Sequence, residues 1–452
     1  MKNVAIYGLI LLAGLSHHGV AVATEARNVS PGFPSGLTNV VRLTSGFLGQ
    51  LAEEMRTNHP ALLAAGARTN AAAAGVNAVR TWEDPMLRVG GLIAREEMRA
   101  DDGDLIYGAE QKLPLFGKPA LARQVAWAEL DVESANADSQ FQFRRSELAK
   151  IAFRAALAEQ LVVVGEQYLV WLQTMAETAE AKYQSGAATL VEVLQVQNER
   201  AKRATQLETD RENLNHARIS LNRMLNRKLQ SPWPTLELPP VAGPVVYSEK
   251  LVGYAARYEP RLRMMREQIK QAAAMVDATR RSRFPEVSAG VQSRNYSGNG
   301  DWRQTELMLS FSLPLFNTKK YRADLQREEA RLKATELDAV DYELSLREEV
   351  HNLTVKIDAA RREALLFGDE VIPRSESALE SARANWESGR GVFRDVLDAR
   401  RMLLDGRLMH ARAVSEQYQM LSELVLSCGL GNLESLQMIG ATPDSQNEGT
   451  KP

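Results

Sequence analysis

The chain is poor in the residues that build covalent or metal-centred sites. It contains a single cysteine, Cys428, which excludes an internal disulfide framework and a cysteine-based zinc site. Two of the 6 histidines lie near the N-terminus, and the other four are scattered, with no pair at i,i+4 spacing. No phosphate-binding loop, dinucleotide-binding glycine pattern or nucleophile elbow occurs. The sequence therefore offers no catalytic residue, no metal site and no cofactor site, and nothing in it supports an enzyme.

The chain also has no large excess of positive or negative charge and, beyond its N-terminus, no long apolar run. With 55 Lys+Arg against 57 Asp+Glu, no basic excess suggests a nucleic-acid partner. Beyond the N-terminus no run of about 18 apolar residues predicts a membrane-spanning helix. The N-terminus itself, MKNVAIYGLILLAGL followed by AVA at 21–23, predicts a cleaved signal peptide over residues 1–23. An uncleaved anchor is the alternative, but the apolar run is short and SHH interrupts it. We expect an exported protein.

What is present is a long internal repeat. The tetrapeptide LPLF occurs at 113–116 and again at 313–316. Further along, YQSGAATLVEVLQVQ at 183–197 corresponds to WESGRGVFRDVLDAR at 386–400. Such a unit is far longer than a solenoid repeat. We expect four segments after the N-terminal signal: a first repeat over 24–230, a proline-rich linker over 231–248, a second repeat over 249–433 and a flexible tail over 434–452.

Each repeat contains a long helical hairpin. After each LPLF, apolar residues recur at alternating steps of three and four, from Leu148 to Tyr183 and from Leu346 to Val371. The run from Gly117 to Lys182 has 66 residues with a single proline near its start, and an uninterrupted helix of 66 residues is roughly 100 Å long. Gly165 and Gly368 occupy equivalent positions in the two repeats and predict a bend or a change of packing there. The SG dipeptides predict tip turns at about 183–189 and 386–392.

Short β segments precede each LPLF. They lie at about 84–115 and 286–315, and in the second half Leu307, Leu309, Phe311 and Leu313 alternate with polar neighbours. Alternation over about ten residues is typical of membrane β-hairpins, but also of an ordinary hairpin that caps a helical bundle. Four strands cannot close a barrel, and two chains would give eight strands around a filled interior. Three chains would give twelve, enough for a lumen.

This order of elements resembles the TolC-like outer-membrane efflux proteins over about residues 50–433. The resemblance rests on the strand–strand–LPLF–long helix order, found twice, and on the two tip motifs. It implies a mostly α fold with a small β part, assembled as a homotrimer with a 12-stranded outer-membrane β-barrel and a periplasmic α-helical tunnel. It also implies three kinds of partner: a periplasmic adaptor, an inner-membrane proton-driven pump and outer-membrane lipid. The stretch GAEQKLPLFGKPALA looks most like members associated with heavy-metal export.

Acidic residues near the second tip are the candidate gate. Asp395 and Asp398 lie three apart and share a helix face. From spacing alone, the favoured interpretation is a pair of solvated acids bound to Arg394 and Arg401. The resemblance implies that both aspartates fall on the family's acidic positions at the periplasmic entrance. Under threefold symmetry each would form a ring of carboxylates that attracts cations and narrows the mouth.

The remaining candidate residues follow from the same resemblance. Glu192 matches the acidic gate position of the first repeat. The pattern departs from the family where Gly391 replaces an arginine of the closed-gate network and Trp386 replaces a tyrosine, and Arg390 or Arg394 is the candidate substitute for that arginine. The adaptor-docking tip would consist of four residues: Ser185, Gly186, Ser388 and Gly389.

The sequence thus predicts a passive outer-membrane exit duct of a tripartite efflux system. Metal cations are the first expectation for its cargo, with drug efflux or type I secretion as the alternative. The alternative of another class is a soluble periplasmic coiled-coil scaffold.

Overall fold

A computed structural model describes residues 40–91, 104–296, 301–312 and 314–440. The predicted signal peptide, Leu313 and residues 441–452 of the predicted tail lie outside these ranges. The first half of the chain contains these elements: β1 (Val40–Arg42), α1 (Ser45–Asn58), α2 (Pro60–Ala78), β2 (Met86–Gly91), β3 (Asp104–Lys112), α3 (Lys118–Gln184), α4 (Leu190–Met224) and β4 (Thr235–Glu237).

The second half repeats this order with one interruption. Its elements are α5 (Glu249–Tyr258), α6 (Pro260–Ser282), β5 (Val287–Tyr296), β6 (Trp302–Phe311), a 3₁₀ turn (Pro314–Asn317), α7 (Thr318–Leu365), a π turn (Leu366–Val371), α8 (Ile372–Glu387), α9 (Phe393–Ser427) and α10 (Leu433–Gly440). The prediction of a mostly helical fold with a small β part is confirmed. Helix α10 occupies the start of the segment that we expected to be a flexible tail.

The long rods form where the sequence has an apolar heptad seam and no internal proline. Helix α3 contains 67 residues and therefore extends over roughly 100 Å. Its predicted seam is buried or half-buried from Leu148 to Ala179, whereas Tyr183 at its end is 45% exposed. No described helix is both long and apolar enough to cross a membrane.

The two rods differ at the predicted bend. In the second rod the π turn begins two residues before Gly368, and Pro373, which has no backbone N–H, lies two residues after its end. A Cβ atom on Gly368 would lie 3.1 Å from the His410 ring on α9, so this glycine permits close packing. In the first rod α3 continues through Gly165 without a break in the helix, so here the predicted alternative of a change of packing applies. Gly165 instead makes room for the Arg203 guanidinium of α4.

Strands from both halves form one antiparallel sheet in the order β2-β3-β5-β6. The central pairing, β3 with β5, joins the two repeats, for example Ala109 opposite Val291. The outer strands pair within each repeat, and Val291 lies opposite Leu307. In the described part of the sheet, β2 and β6 each leave one edge unpaired.

The two faces of this sheet differ in polarity, because residues directly opposite each other in the register share a face. One face carries exposed apolar side chains: Leu87, Val89, Leu105, Tyr107, Val291, Leu307, Leu309 and Phe311. The other face carries polar residues, among them Glu110, which accepts hydrogen bonds from Arg88 and Ser288. An apolar face that no other element covers is unusual for a protein surface in water.

The helical part is held together across the repeats. The largest apolar cluster combines residues of α1, α3 and the end of α4 with β4 and α9, for example Met55, Phe153 and Val414. A second sheet, far smaller, pairs β1 with β4 in parallel, with Val41 opposite Leu236. This pair cannot be predicted from the sequence, since strands of three residues have no recognisable alternation.

Candidate functional site at the helix tips

The two tip turns have the same backbone geometry. Each helix ends in a serine followed by a glycine with positive φ, 75° at Gly186 and 73° at Gly389. The hydroxyl groups of Ser185 and Ser388 donate to the carbonyl oxygen three residues earlier, at 2.9 and 3.0 Å. Glycine is the residue that takes up this left-handed conformation without steric cost. All four predicted docking residues therefore lie together at the ends of the two hairpins.

The next helix begins differently in the two tips. In the first tip Thr189 caps α4 and accepts a hydrogen bond from the backbone N–H of Glu192 at 3.4 Å. Glu192 thus lies in the first helical turn, where a carboxylate is favoured by the helix dipole. In the second tip Val392 offers no side-chain cap, and Asp395 occupies the first turn of α9.

An apolar cluster links the two hairpins behind the tips. Its buried members come from α3, α4, α8 and α9: Tyr168, Leu172, Met175, Ala176, Ala179, Val193, Val196, Trp386, Phe393, Val396 and Leu397. The Trp386 and Phe393 rings lie 5.1 Å apart, and the Lys182 ammonium lies 3.7 Å from the centre of the Trp386 ring. A cation at this distance over an indole face is attracted by the ring. Trp386, the replacement for the family tyrosine, therefore connects the end of α3 with the end of α8.

A charged network connects α9 to α4 one level above the tips. The Asp398 carboxylate pairs with Arg401 at 3.2 Å and with Arg394 at 3.5 Å, as the spacing predicted. Arg401 also binds Glu199 on α4, and the Tyr168 hydroxyl donates to Glu199 at 3.3 Å. Arg401 is therefore the one of these two arginines that joins the hairpins, while Arg394 pairs within its own helix.

The electrostatics of this network follow from its contacts. The Arg401 guanidinium holds the pKa of Glu199 below its usual range, with burial opposing this shift. Burial and the neighbouring Glu199 carboxylate raise the pKa of Tyr168. Glu199 is therefore ionised and Tyr168 protonated at neutral pH. Because the folded-state pKa of Glu199 is depressed, its contribution to stability is lost only as the pH falls through that lowered value.

The predicted gate residues are only partly assembled in the single chain. Asp398 and Arg394 line a cavity of about 310 Å³ together with Glu199 and Arg401. Asp395 is exposed, and the described residues provide no ion-pair partner for it or for Glu192. Glu192 Oε2 is buried without a hydrogen-bond partner in the same part of the structure.

Arg390 and Gly391 explain the departure from the family pattern. Arg390 Nε donates to the hydroxyl of Ser388 at 3.2 Å, so it braces its own turn. A Cβ atom on Gly391 would lie 3.0 Å from the Cβ of Asn385, so a larger residue in this turn would require Asn385 to shift. Neither residue contacts the network around Asp398.

Glu199 and Tyr168 were not predicted from the sequence. The usable signal was spacing: Glu199 follows Glu192 by seven residues, so both lie on one face of α4. Tyr168 is harder to identify from the sequence, since its hydroxyl group contacts a residue on a different helix. Among the described residues no group of three His, Cys, Asp or Glu side chains is arranged to hold a metal ion.

Comparison with known proteins is consistent with this architecture. The profile "Outer membrane efflux protein" matches residues 51–227 and 251–430. A curated relative, the pyoverdine export outer membrane protein OpmQ of Pseudomonas putida, is 22% identical over 411 residues, which cover 85% of this chain and 86% of OpmQ.

Solved structures share the fold at low identity. The outer-membrane channel OprN matches with a TM-score of 0.75 and 19% identity, covering 87% of this chain and 94% of OprN. VceC of Vibrio cholerae matches with a TM-score of 0.72 and 18% identity, covering 85% of this chain and 97% of VceC. CusC matches with a TM-score of 0.73 and 17% identity, covering 86% of this chain and 93% of CusC. The family match gives a location in the outer membrane with an extension into the periplasm, in place of the soluble-scaffold alternative. The chain belongs to the outer membrane efflux protein family.

Proposed function

We propose that this protein is the exit duct of a tripartite efflux system and conducts its cargo passively from the periplasm to the exterior. Its partners would be a periplasmic adaptor and an inner-membrane proton-driven pump, which supplies the energy. The duct would be a homotrimer whose three sheets form a twelve-stranded barrel above a helical tunnel.

One observation carries this proposal: the four-stranded sheet with an exposed apolar face and two unpaired edges. Leu307 is 87% exposed and Val89 is 78% exposed on that face. Unpaired strand edges are not tolerated in lipid, so an open sheet needs neighbours on both sides. Copies of β6 and β2 from adjacent chains would satisfy both edges, and lipid would cover the apolar face.

Planar-bilayer conductance of the detergent-extracted full-length protein tests the duct directly. We expect a trimeric preparation to insert and to give discrete, cation-selective steps. A preparation that is trimeric but inserts without any step, even after the tip variants described below, would refute a conducting duct.

The closed entrance would consist of two parts. Glu192, Asp395 and Asp398 would each form a ring of three carboxylates around the threefold axis, and such rings attract cations. The second part is the contact of Arg401 with Glu199, which would hold the second hairpin against the first. Arg390 and Arg394 would orient the tip through their contacts within the turn and within α9.

Replacing Asp398 by alanine should destabilise the closed entrance. The substitution removes one carboxylate ring and releases Arg394 and Arg401 from their shared partner. We expect a larger single-channel conductance and weaker cation selectivity in planar bilayers. Unchanged conductance and selectivity would remove Asp398 from the gate.

Replacing Arg401 by glutamine should also open the entrance, but with selectivity preserved, because all three acids remain. The loss leaves Glu199 and Asp398 without their shared cation. We expect more frequent open events at neutral pH.

The matched control is Arg407→Gln on the same helix. Arg407 pairs with Glu376 of α8 at 2.7 Å, so it joins helices within one hairpin rather than two hairpins. If Arg401→Gln and Arg407→Gln open the channel equally, a general destabilisation of α9 explains the effect. The contact of Arg401 with Glu199 would then not hold the entrance closed.

The tips would dock to the adaptor. Ser185, Gly186, Ser388 and Gly389 expose short side chains, which would allow an adaptor helix to approach closely. The geometric equivalence of the two turns supports this use, since a trimer would then present six similar contact points.

The cargo is proposed as metal cations, on the basis of the acidic tip and the GAEQKLPLFGKPALA stretch. The name of the relative OpmQ favours the alternative, an organic cargo. A deletion strain compared with its parent would separate the two. Greater sensitivity to metal salts supports the first, whereas greater sensitivity to organic compounds with unchanged metal tolerance supports the second.

A further inference from the structure

The sheet and the helices meet at a junction built from the end of α6 and the start of α7. The backbone N–H of Ser312 donates to the carbonyl oxygen of Glu286 at 2.9 Å, which brings the start of β5 and the end of β6 together. Arg280 of α6 pairs with Glu329 of α7 at 3.6 Å, so the two helices continue side by side away from the sheet. Residues 280–286 and 316–322 therefore both lie at the end of these helices that is next to the sheet.

This junction carries five exposed cations without an acidic partner among the described residues: Arg281, Arg283, Lys319, Lys320 and Arg322. No acid occurs in 279–285 or in 316–323. In the first repeat, Lys112 at the end of β3 and Lys118 at the start of α3 both pair with Glu286, at 3.1 and 3.6 Å. Arg123 of α3 donates to the Val79 carbonyl oxygen and the Thr81 hydroxyl and has no acidic partner among the described residues. Cations without an acidic partner at this end of the sheet are therefore concentrated in the second repeat.

Aromatic side chains accompany these cations. The Phe116 and Phe284 rings stack at 5.4 Å, and the guanidinium groups of Arg281 and Arg283 lie 5.2 and 5.6 Å from the Phe284 ring. Phe316 is 89% exposed, three residues before Lys319. Exposed aromatic rings beside cations are the pattern found where a protein crosses the interface between lipid and water.

We infer that this junction is a binding surface for anionic phospholipid headgroups of the inner leaflet of the outer membrane. The inference rests on the proposed function, because a sheet that spans the bilayer puts its helix-side end at the depth of those headgroups. The cations bind the phosphate groups, and the rings of Phe284 and Phe316 lie among the upper acyl chains.

The expected contribution of each cation is measurable. A lysine or arginine near an anionic membrane surface is worth about a fivefold change in binding, so three such residues amount to roughly a hundredfold. The variant Lys319→Gln/Lys320→Gln/Arg322→Gln removes three charges from the first turn of α7 and leaves the sheet unchanged. The matched control Arg68→Gln/Arg200→Gln/Lys356→Gln removes three exposed helical cations without ion-pair partners among the described residues.

The experiment uses the full-length trimer in nanodiscs of phosphatidylethanolamine with a minor share of phosphatidylglycerol. Native mass spectrometry counts the lipids that remain bound after detergent transfer. We expect wild type and control to retain phosphatidylglycerol preferentially, and the junction variant to lose this preference. The preference should also vanish at roughly 1 M salt, where the Debye length is about 3 Å.

Three outcomes would overturn the inference. The first is equal retention of both lipids by wild type, and the second is an equal loss in variant and control. The third is dissociation of the trimer in the junction variant alone, which would assign the cations to contacts between subunits. Conductance is recorded from the same samples. A conducting trimer without lipid preference refutes only this inference, whereas absence of insertion refutes the proposed function as well.

Discussion

Replacing Leu307 by arginine should prevent stable folding of the protein in the outer membrane. Leu307 is the most exposed apolar side chain of the sheet, at 87%, and it lies near the middle of β6 on the apolar face. Arginine at the lipid-facing centre of a membrane strand costs about 2–4 kcal/mol, and a trimer carries three copies. We expect the variant to disappear from the outer-membrane fraction.

The neighbouring residue provides the control for this prediction. Met308 lies on the opposite, polar face of the same strand, opposite Gly290. The variant Met308→Arg makes a similar chemical change one residue away, but towards the polar side. It should still reach the outer membrane with nearly normal abundance. Equal loss of both variants would mean that the apolar face does not face lipid.

Replacing Gly429 by alanine should cause the largest loss of stability in the helical part. Gly429 ends α9 with φ of 63°, and a Cβ atom there would lie 2.1 Å from the carbonyl oxygen of Tyr258 at the end of α5. The left-handed conformation and the overlap with backbone together cost roughly 2–4 kcal/mol per chain. The urea concentration that halves the helical circular-dichroism signal should fall clearly below that of wild type.

The variant Gly186→Ala separates the cost of the left-handed conformation from the cost of the overlap with backbone. It has a similar φ of 75°, but no atom lies within 4 Å of the Cβ position. Gly186→Ala should therefore show only the conformational cost, about 1–2 kcal/mol, and only locally at the tip. If the two variants shift the urea midpoint equally, the contact between Gly429 and Tyr258 does not hold α9 against α5.

Much of the fold could be predicted because its signals are local and repeated. The LPLF repeat, the heptad seam and the positive-φ glycines Gly186 and Gly389 each depend on neighbours within a few residues. Alternation in β6 also assigned Leu307 and Leu309 to one face. These features need no knowledge of which segments meet in space.

The rest depends on contacts between distant segments. The pairing of β3 with β5 joins the repeats and follows from no pattern within either strand. Helix α3 continues through Gly165 as an α-helix, but the second rod has a π turn at Gly368, because only the second rod has a proline five residues later. In the same way Arg401 could be paired with Asp398 from spacing, but not with Glu199, which lies on another helix of the other repeat.

The small parallel pair of β1 and β4 also sets an order of events during biogenesis. Val40 lies opposite Thr235, so this clasp joins the start of the first repeat to the segment that follows its last long helix. A chain that emerges N-terminus first cannot close it until residue 237 is available. Non-local contacts of this kind form late and leave earlier segments exposed meanwhile. Until β4 is available, β1 therefore remains unpaired beside the first long helix. During this interval a periplasmic chaperone would have its longest access to the exposed segments.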